Sequence, residues 1–269
     1  MSPRGERPAD WPPADLAERL FTRTSLAADL GERMTVISPR EIIDSPFNRY
    51  HTPGARRLGY QRLEGFLAAL MEATSTPPNA GPPRLIHAYY PDLDNQMHRL
   101  GTADPRVAEH LAALDTYLGR FLELQADHGT RIILTADHGF IDAPVERLIE
   151  LDRHPALAAL LARPLCGERR IAYAYVRPGG HQAFADYVAS HLGEACRAIP
   201  TRDFIAAGWF GPGPIHPALA ARAGDFVLHM EEGWTIKDWL PGEKHYDQPG
   251  VHGGCSRAEM TVPLIVAGS

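Results

Sequence analysis

The sequence predicts an α/β fold in which helices flank a central sheet. Short apolar runs typical of strands alternate with amphipathic helical patterns, and the run at 130–136 (TRIILTA) is almost entirely apolar. Such a run is expected of a strand that is buried on both faces. A chain of 269 residues, 44% of them hydrophobic, can bury a sizeable core. We therefore expect one domain over residues 16–269, after an irregular, proline-rich segment at 1–15.

The predicted elements follow from apolar spacing and from turn residues. Strands are predicted at 34–38, 84–90, 130–136, 171–176, 226–230 and 262–267. Helices are predicted at 16–30, 60–73, 105–126, 145–151, 156–162 and 181–191. Loops are predicted at 44–58, 75–83 and 208–217, which are rich in turn formers. The longest helical stripe starts at Val107 and runs to Leu122, and Gly31 is expected to end the first helix.

Composition restricts the classes of function. The chain has 27 Lys and Arg against 33 Asp and Glu, a formal net charge of −6. This argues against nucleic-acid binding, which needs a dense basic face. No segment approaches the ~18 apolar residues of a membrane span, and the first residues lack the apolar core of a signal peptide. Three separated cysteines do not suggest a disulfide framework, so the expected location is the cytoplasm, unless a signal peptide precedes Met1.

Three short motifs carry potential metal ligands. In YPDLDNQMH (90–98), Asp94 and His98 are four residues apart, which places both on one helical face. Asp137 and His138 follow the apolar run at 130–136, where α/β proteins bind ligands, and Gly139 leaves room for a sharp turn. His252 lies in GVHGG, and its flanking glycines are expected to leave the loop free to bring the imidazole inward.

Carboxylate oxygens and imidazole nitrogens together favour Zn²⁺, with Mn²⁺ or Fe as alternatives, over a Ca²⁺ cage. Two such ions about 4 Å apart can stabilise the attacking and leaving oxygens of a phosphoryl transfer. Each motif alone also has an ordinary structural interpretation. Asp94 and His98 suit a helix start with an exposed histidine, Asp137 and His138 suit a structural loop, and His252 suits an ordinary loop histidine.

Taken together, the motifs resemble the nucleotide pyrophosphatase/phosphodiesterase branch of the alkaline phosphatase superfamily. The resemblance rests on YPDLDNQMH (90–98), LTADHGF (134–140) and GVHGG…EMTVPLIVAG (250–268). It implies an alkaline-phosphatase-like central sheet flanked by helices and a two-zinc site that hydrolyses phosphate esters or nucleotides. It also implies that Asp94, His98 and His252 hold one ion, while Asp137 and His138 hold the other.

The sequence departs from the family where the nucleophile should be. Members carry a metal-ligating Asp near the first strand and a Thr or Ser nucleophile at a helix start, and nothing here matches them. Thr22, Thr24 and Ser25 lie inside a helical pattern and are expected to be surface or cap residues. The chain is therefore expected to lack the first βα units, through a misplaced start or a truncated gene. We expect metal binding with impaired or absent turnover.

Other residues have weaker functional interpretations. Ser256 and Glu259 have the spacing of a helix capping box, and a hydrolase triad of Ser256, His252 and Asp137 would lack its G-x-S-x-G turn. Cys255 is expected to be a packed thiol, and His245 is a further candidate near the site. The adjacent Arg56 and Arg57, placed in the loop before the second helix, suit either phosphate binding or a solvated surface.

Several functions remain open within and outside the family. A sulfatase, a phosphonate hydrolase and a phosphomutase use the same ligands. A chain that keeps the fold without turnover would be a metal-binding remnant or a scaffold. Strands missing from the sheet would leave an apolar face exposed, which favours a homodimer.

Overall fold

The computed structural model describes residues 25–75, 81–126 and 129–268. Its helices, in chain order, are α1 (Leu26–Leu30), α2 (Pro46–His51), α3 (Arg62–Thr74), α4 (Asp92–Leu100), α5 (Pro105–Gln125), α6 (Pro155–Leu160), α7 (His181–His191), α8 (Thr201–Ala206), α9 (Leu219–Ala223) and α10 (Arg257–Met260). Its strands are β1 (Met34–Pro39), β2 (Arg56–Tyr60), β3 (Leu85–Ala88), β4 (Ile132–Thr135), β5 (Ile141–Asp142), β6 (Leu148–Glu150), β7 (Cys166–Gly167), β8 (Ile171–Ala174), β9 (Cys196–Pro200), β10 (Phe226–Met230), β11 (Thr235–Lys237), β12 (Gly250–Val251) and β13 (Leu264–Ala267).

The described residues form two compact units. Unit 1 comprises residues 25–75, 81–92, 110–126, 129–133 and 265–268, and unit 2 comprises residues 93–109 and 134–264. Strand β4 pairs with β13. No helix in the described part of the chain is long and apolar enough to cross a membrane.

Unit 1 is built on a parallel sheet with the strand order β2-β1-β3. Helix α3 buries its apolar positions, among them Phe66 and Leu70, in a cluster with Ile37 of β1. Phe121 of α5 belongs to the same cluster, so the long stripe predicted at 105–126 does pack as a core face. Leu111, one turn after the start of that stripe at Val107, is 50% exposed.

Unit 2 contains an antiparallel sheet with the order β7-β8-β10-β9. Helix α7, which has the bounds predicted from the sequence, buries Phe184 and Val188 against it. Two smaller strand pairs complete the unit: β6 with β11, parallel, and β5 with β12, antiparallel.

Two predicted elements have the wrong type. The segment 44–58, predicted as a loop, contains α2 and most of β2. Ser45 caps α2 by accepting a hydrogen bond from the backbone N–H of Asn48, and β2 gains stability by pairing with β1. Arg56 and Arg57 therefore lie in a strand rather than in a loop. The helix predicted at 145–151 is a 3-10 turn, Val145–Arg147, followed by β6, because pairing with β11 favours the extended backbone.

Strands β3 and β4 are each covered on one side only. Ile86 of β3 and Ile132 of β4 pack against the α3 and α5 cluster of unit 1. Their neighbours Leu85 and Ile133 are 39% and 64% exposed. The prediction of burial on both faces, made for the run at 130–136, is therefore wrong, since alternate side chains of β4 point to opposite faces and no described element covers the second face.

The first predicted helix is only partly described. Residues 16–24, with Thr22 and Thr24, lie outside the described residues. The described part is α1, for which Ser25 is the N-cap and accepts a hydrogen bond from the backbone N–H of Ala27. Gly31 follows the helix with a φ of +51°, so the predicted helix end is confirmed.

Candidate metal centre

Three elements of unit 2 bring the potential ligands together. Asp94 and His98 lie one turn apart on α4, as their spacing predicts. Asp137 and His138 follow β4 and precede β5, while His252 directly follows β12. Because β5 and β12 pair, with Ile141 opposite Val251, the segment that carries His138 lies beside the segment that carries His252.

Gly250 brings β12 directly against the backbone of α4. A Cβ atom at this position would lie 2.1 Å from the carbonyl oxygen of Met97, so no other residue fits without a shift of the backbone. The glycines around His252 were expected to leave the loop free. At Gly250 the glycine instead permits close packing, which holds His252 near the face of α4 that carries Asp94 and His98.

The Oδ1 atom of Asp94 is the centre of the arrangement. The Nε2 atoms of His98, His252 and His138 lie 3.5, 3.8 and 3.9 Å from it. This oxygen is buried, yet it accepts no hydrogen bond from any described residue. A buried carboxylate oxygen without a donor is costly, and a cation between it and the imidazoles would remove that cost.

The spacing of these atoms fits a metal ion. Two ligands that each lie ~2.1 Å from a tetrahedral zinc ion are about 3.4 Å apart, close to the separations seen here. One ligand atom each of Asp94, His138 and His252 lies within 4.8 Å of the others. Nitrogen and oxygen donors are ordinary zinc ligands. The residues present therefore fit a divalent ion.

Phe140 packs against all three imidazoles. This role cannot be predicted from its residue type alone. Its ring centroid lies 4.9, 5.5 and 5.1 Å from those of His98, His138 and His252. His138 and His252 also stack on each other, with centroids 3.6 Å apart. These contacts restrict ring rotation, so the Nε2 atoms remain directed at Asp94.

The electrostatics of the cluster favour neutral imidazole at His252. Burial lowers the pKa of His252, and the adjacent His138 and His98 lower it further, against the opposing charges of Asp94 and Asp137. A neutral imidazole keeps the lone pair that a metal ligand needs. The lowered pKa therefore favours metal binding at neutral pH.

Two backbone or amide groups orient His98. Its Nδ1 atom lies 2.9 Å from the carbonyl oxygen of Gly250 and 2.6 Å from the side-chain amide nitrogen of Gln248. When Nδ1 carries the proton it donates to the Gly250 carbonyl oxygen, and the Gln248 amide accepts from it only when turned so that its oxygen faces the ring. The Nε2 atom then presents its lone pair towards Asp94. Such contacts at the far ring nitrogen are typical of metal-binding histidines, and sequence analysis did not identify Gln248.

Asp137 is less closely associated with the cluster. Its side chain is 74% exposed, and its Oδ1 atom lies 3.6 Å from Nε2 of His138. The three-residue group Asp94, His138 and His252 also combines residues that the family resemblance divides between two ions. The assignment of ligands to a first and a second ion stays a prediction.

The other residues singled out in the sequence have structural partners in unit 2. Ser256 and Glu259 form the expected capping box at the start of α10. Cys255 packs against a small apolar cluster, where burial raises the pKa of its thiol. His245 stacks on Trp239, with ring centroids 4.2 Å apart. None of these three contacts is part of the group around Asp94 Oδ1.

A sequence model of the type I phosphodiesterase / nucleotide pyrophosphatase family matches residues 14–254. The chain belongs to this family. The comparison with curated protein sequences gives no match.

Solved structures share the fold. Murine ectonucleotide pyrophosphatase/phosphodiesterase 5 is similar with a TM-score of 0.64 at 18% identity, over 90% of this chain and 62% of that one. An inactive form of the murine protein in complex with AMP gives the same TM-score and the same coverage at 19% identity. The human protein gives 0.63 at 19% identity, over 87% of this chain and 60% of that one. The alkaline-phosphatase-like α/β fold is thereby confirmed, and the chain spans less than two thirds of the length of these relatives.

Proposed function

We propose that this chain forms the metal centre of a phosphoric ester hydrolase whose substrates are nucleotide-like phosphodiesters. The observation that carries the proposal is the buried Oδ1 atom of Asp94, which has no hydrogen-bond donor among the described residues and faces three imidazole nitrogens. Family membership supports the reaction class. The AMP complex of the murine relative supports a nucleotide as the substrate class.

We assign Asp94, His98 and His252 to one Zn²⁺ ion, and Asp137 and His138 to a second. The nearness of His138 to both Asp94 and His252 is compatible with two ions about 4 Å apart. A bound ion supplies the positive charge that stabilises phosphoryl oxygens as the ester bond breaks. The chain's own residues hold that charge in place: Asp94 contributes the carboxylate, and Phe140 restricts the imidazole rings.

The nucleophile is not assigned. Ser25 and Ser256 use their hydroxyl groups as helix caps, and Thr22 and Thr24 lie outside the described residues. We therefore propose that the chain binds metal with weak or absent turnover. A scaffold that keeps the fold without metal is the competing function, and metal content separates the two.

Metal content of the purified chain tests the proposal. After loading with zinc and removal of the excess, mass spectrometry of the metal should find two ions per chain. Asp94→Asn should remove the ion that this carboxylate holds, because the neutral amide is a poor ligand, and Asp137→Ala should leave one ion. Asp152→Asn, which changes an exposed acid in the same unit, is the matched control and should bind as the original chain does. Absence of zinc from the original chain, or full zinc content in Asp94→Asn, would refute the metal centre.

Turnover is measured separately with a chromogenic phosphodiester and with a nucleotide phosphodiester. Weak or absent hydrolysis together with bound zinc agrees with the proposal. Rapid hydrolysis that Asp94→Asn abolishes would keep the metal centre but contradict the expectation of impaired turnover. No metal and no hydrolysis together would favour the scaffold.

A further inference from the structure

We propose that Arg170 and Glu259 are a positioning pair that fixes the loop carrying His252, and with it the imidazole that binds metal. The inference rests on the proposed metal centre. Neither residue is one of the proposed metal ligands. The capping box of Ser256 and Glu259 accounts for the position of Glu259 but not for the buried Arg170 beside it.

The two side chains form a buried, two-point ion pair. Nε of Arg170 lies 3.0 Å from Oε1 of Glu259, and Nη2 lies 3.1 Å from Oε2. Their side chains are 2% and 1% exposed. The remaining guanidinium nitrogen, Nη1, donates to the carbonyl oxygens of Glu231 and Trp234 at 2.6 and 2.7 Å. Every nitrogen of the arginine head group therefore has a fixed acceptor.

Glu259 also binds the backbone of the loop after His252. The backbone N–H of Gly254 donates to Oε1 at 2.8 Å, and that of Ser256 donates to Oε2 at 3.2 Å. Each carboxylate oxygen thus accepts one bond from the arginine and one from the loop. Burial alone would raise the pKa of Glu259, but hydrogen bonds from Arg170, Ser256 and Gly254 lower it, so the carboxylate is charged.

The loop is packed directly on the pair. A Cβ atom on Gly254 would lie 2.7 Å from both carboxylate oxygens of Glu259 and 2.9 Å from Nε of Arg170. On the other side of His252, Val251 is held by its pairing with Ile141. His252 therefore lies between two fixed points, the strand pair before it and the ion pair after it.

The free energy of burying an ion pair indicates that Arg170 and Glu259 hold the loop in place rather than stabilise the core. Replacing a buried ion pair with apolar side chains of similar volume is often neutral or stabilising, whereas removal of one partner typically destabilises strongly. Apolar side chains can fill the space but cannot accept hydrogen bonds from Gly254 and Ser256. The feature that only the charged pair supplies is the anchoring of this backbone.

The test replaces both partners at once, Arg170→Met with Glu259→Leu, in the full chain. The double variant should fold, as judged by circular dichroism, with zinc affinity at least tenfold lower, since loss of groups that support ligands costs about 10–100-fold. The matched control is Arg202→Gln with Asp203→Asn, which removes an exposed ion pair of the same unit and should leave zinc affinity unchanged. If the double variant folds and binds zinc like the original chain, the positioning role is refuted.

A second measurement keeps this inference separate from the proposed function. In metal-free protein, the rate at which diethyl pyrocarbonate modifies His252, followed by peptide mass spectrometry, should rise several-fold in the double variant. If the original chain binds no zinc, the proposed function fails, and this rate alone decides whether the pair fixes His252. If the double variant does not fold, Glu259→Gln is tested in its place. This variant keeps the side-chain volume but loses one acceptor oxygen, and it should show the same lower zinc affinity and the same faster modification of His252. Unchanged modification and unchanged affinity in that variant would also refute the inference.

Discussion

His229 of β10 is a partly buried histidine whose Nε2 atom is fully buried, so its protonation is unfavourable. Its Nε2 atom has no hydrogen-bond partner among the described residues. Burial lowers its pKa below 6.5, and Arg170 and Arg197 lower it further against the opposing Glu231 and Glu259. An imidazolium at this position would place an unpaired N–H of a charged group in the interior.

This gives a pH-dependent prediction at the scale of one residue. As pH falls below about 7.5 the unfolded chain takes up more protons at His229 than the folded chain does, so the free energy of unfolding falls as pH falls through 6.5. The slope from one such group is at most about 1.4 kcal/mol per pH unit. In urea titrations, His229→Gln should show a shallower loss than the original chain. Parallel pH profiles for the two proteins would contradict the prediction.

The residue types show which side chains can bind a metal ion, whereas the fold determines which of those side chains come together. Asp94, His98, His138 and His252 are recognisable as potential ligands because their motifs contain metal-binding side chains. Their convergence on one oxygen depends on the pairing of β5 with β12, strands of two residues each that have no detectable sequence period. Phe140 and Gln248 have no signal of their own, because an aromatic ring or an amide beside a histidine is common at any surface.

At the scale of elements, Gly250 controls how closely β12 approaches α4. Gly250→Ala should lower the free energy of unfolding by about 1–3 kcal/mol, because the new methyl group would overlap the Met97 carbonyl oxygen. Gly119→Ala is the matched control: Gly119 lies in α5, and a Cβ there would meet no atom within 4 Å. That substitution should stabilise by about 0.5–1 kcal/mol, since alanine favours the helix. Urea unfolding measures both, and equal effects of the two substitutions would show that close packing at Gly250 is unimportant.

Long helices with a repeating apolar pattern can be predicted from the sequence, whereas short strands that depend on pairing cannot. Helices α5 and α7 are found where predicted, because their apolar positions repeat along several turns. By contrast β6 is extended although its sequence suits a helix, since the hydrogen bonds to β11 come from a distant part of the chain. The same dependence on distant pairing explains why the sequence of β2 indicates a loop although the segment forms a strand.

At the scale of the whole molecule, burial is the feature that sequence predicts least well. The apolar run that forms β4 indicates a strand covered on both faces, yet Ile133 is 64% exposed, and Leu264 and Val266 of β13 are 72% and 59% exposed. Hydrophobicity indicates that a side chain favours burial, but it does not specify which element covers it. The sequence does predict the family, the α/β class and the types of metal ligand, because each of them depends on residues that lie close together along the chain.

The division into two units predicts how metal binding should affect unfolding. All residues of the proposed centre lie in unit 2, so zinc should stabilise only the transition in which unit 2 unfolds. A ligand that binds the folded state stabilises by RT ln(1 + [L]/Kd), about 2.7 kcal/mol when free zinc is 100 times Kd. In calorimetric scans of the full chain, added zinc should raise the midpoint of one transition, and a chelator should reverse the shift. Asp94→Asn should abolish the zinc-dependent rise without moving the midpoint of any transition that zinc does not affect. If zinc shifts every transition equally, the two units do not unfold separately, and if Asp94→Asn responds as the original chain does, stabilisation arises at a different site.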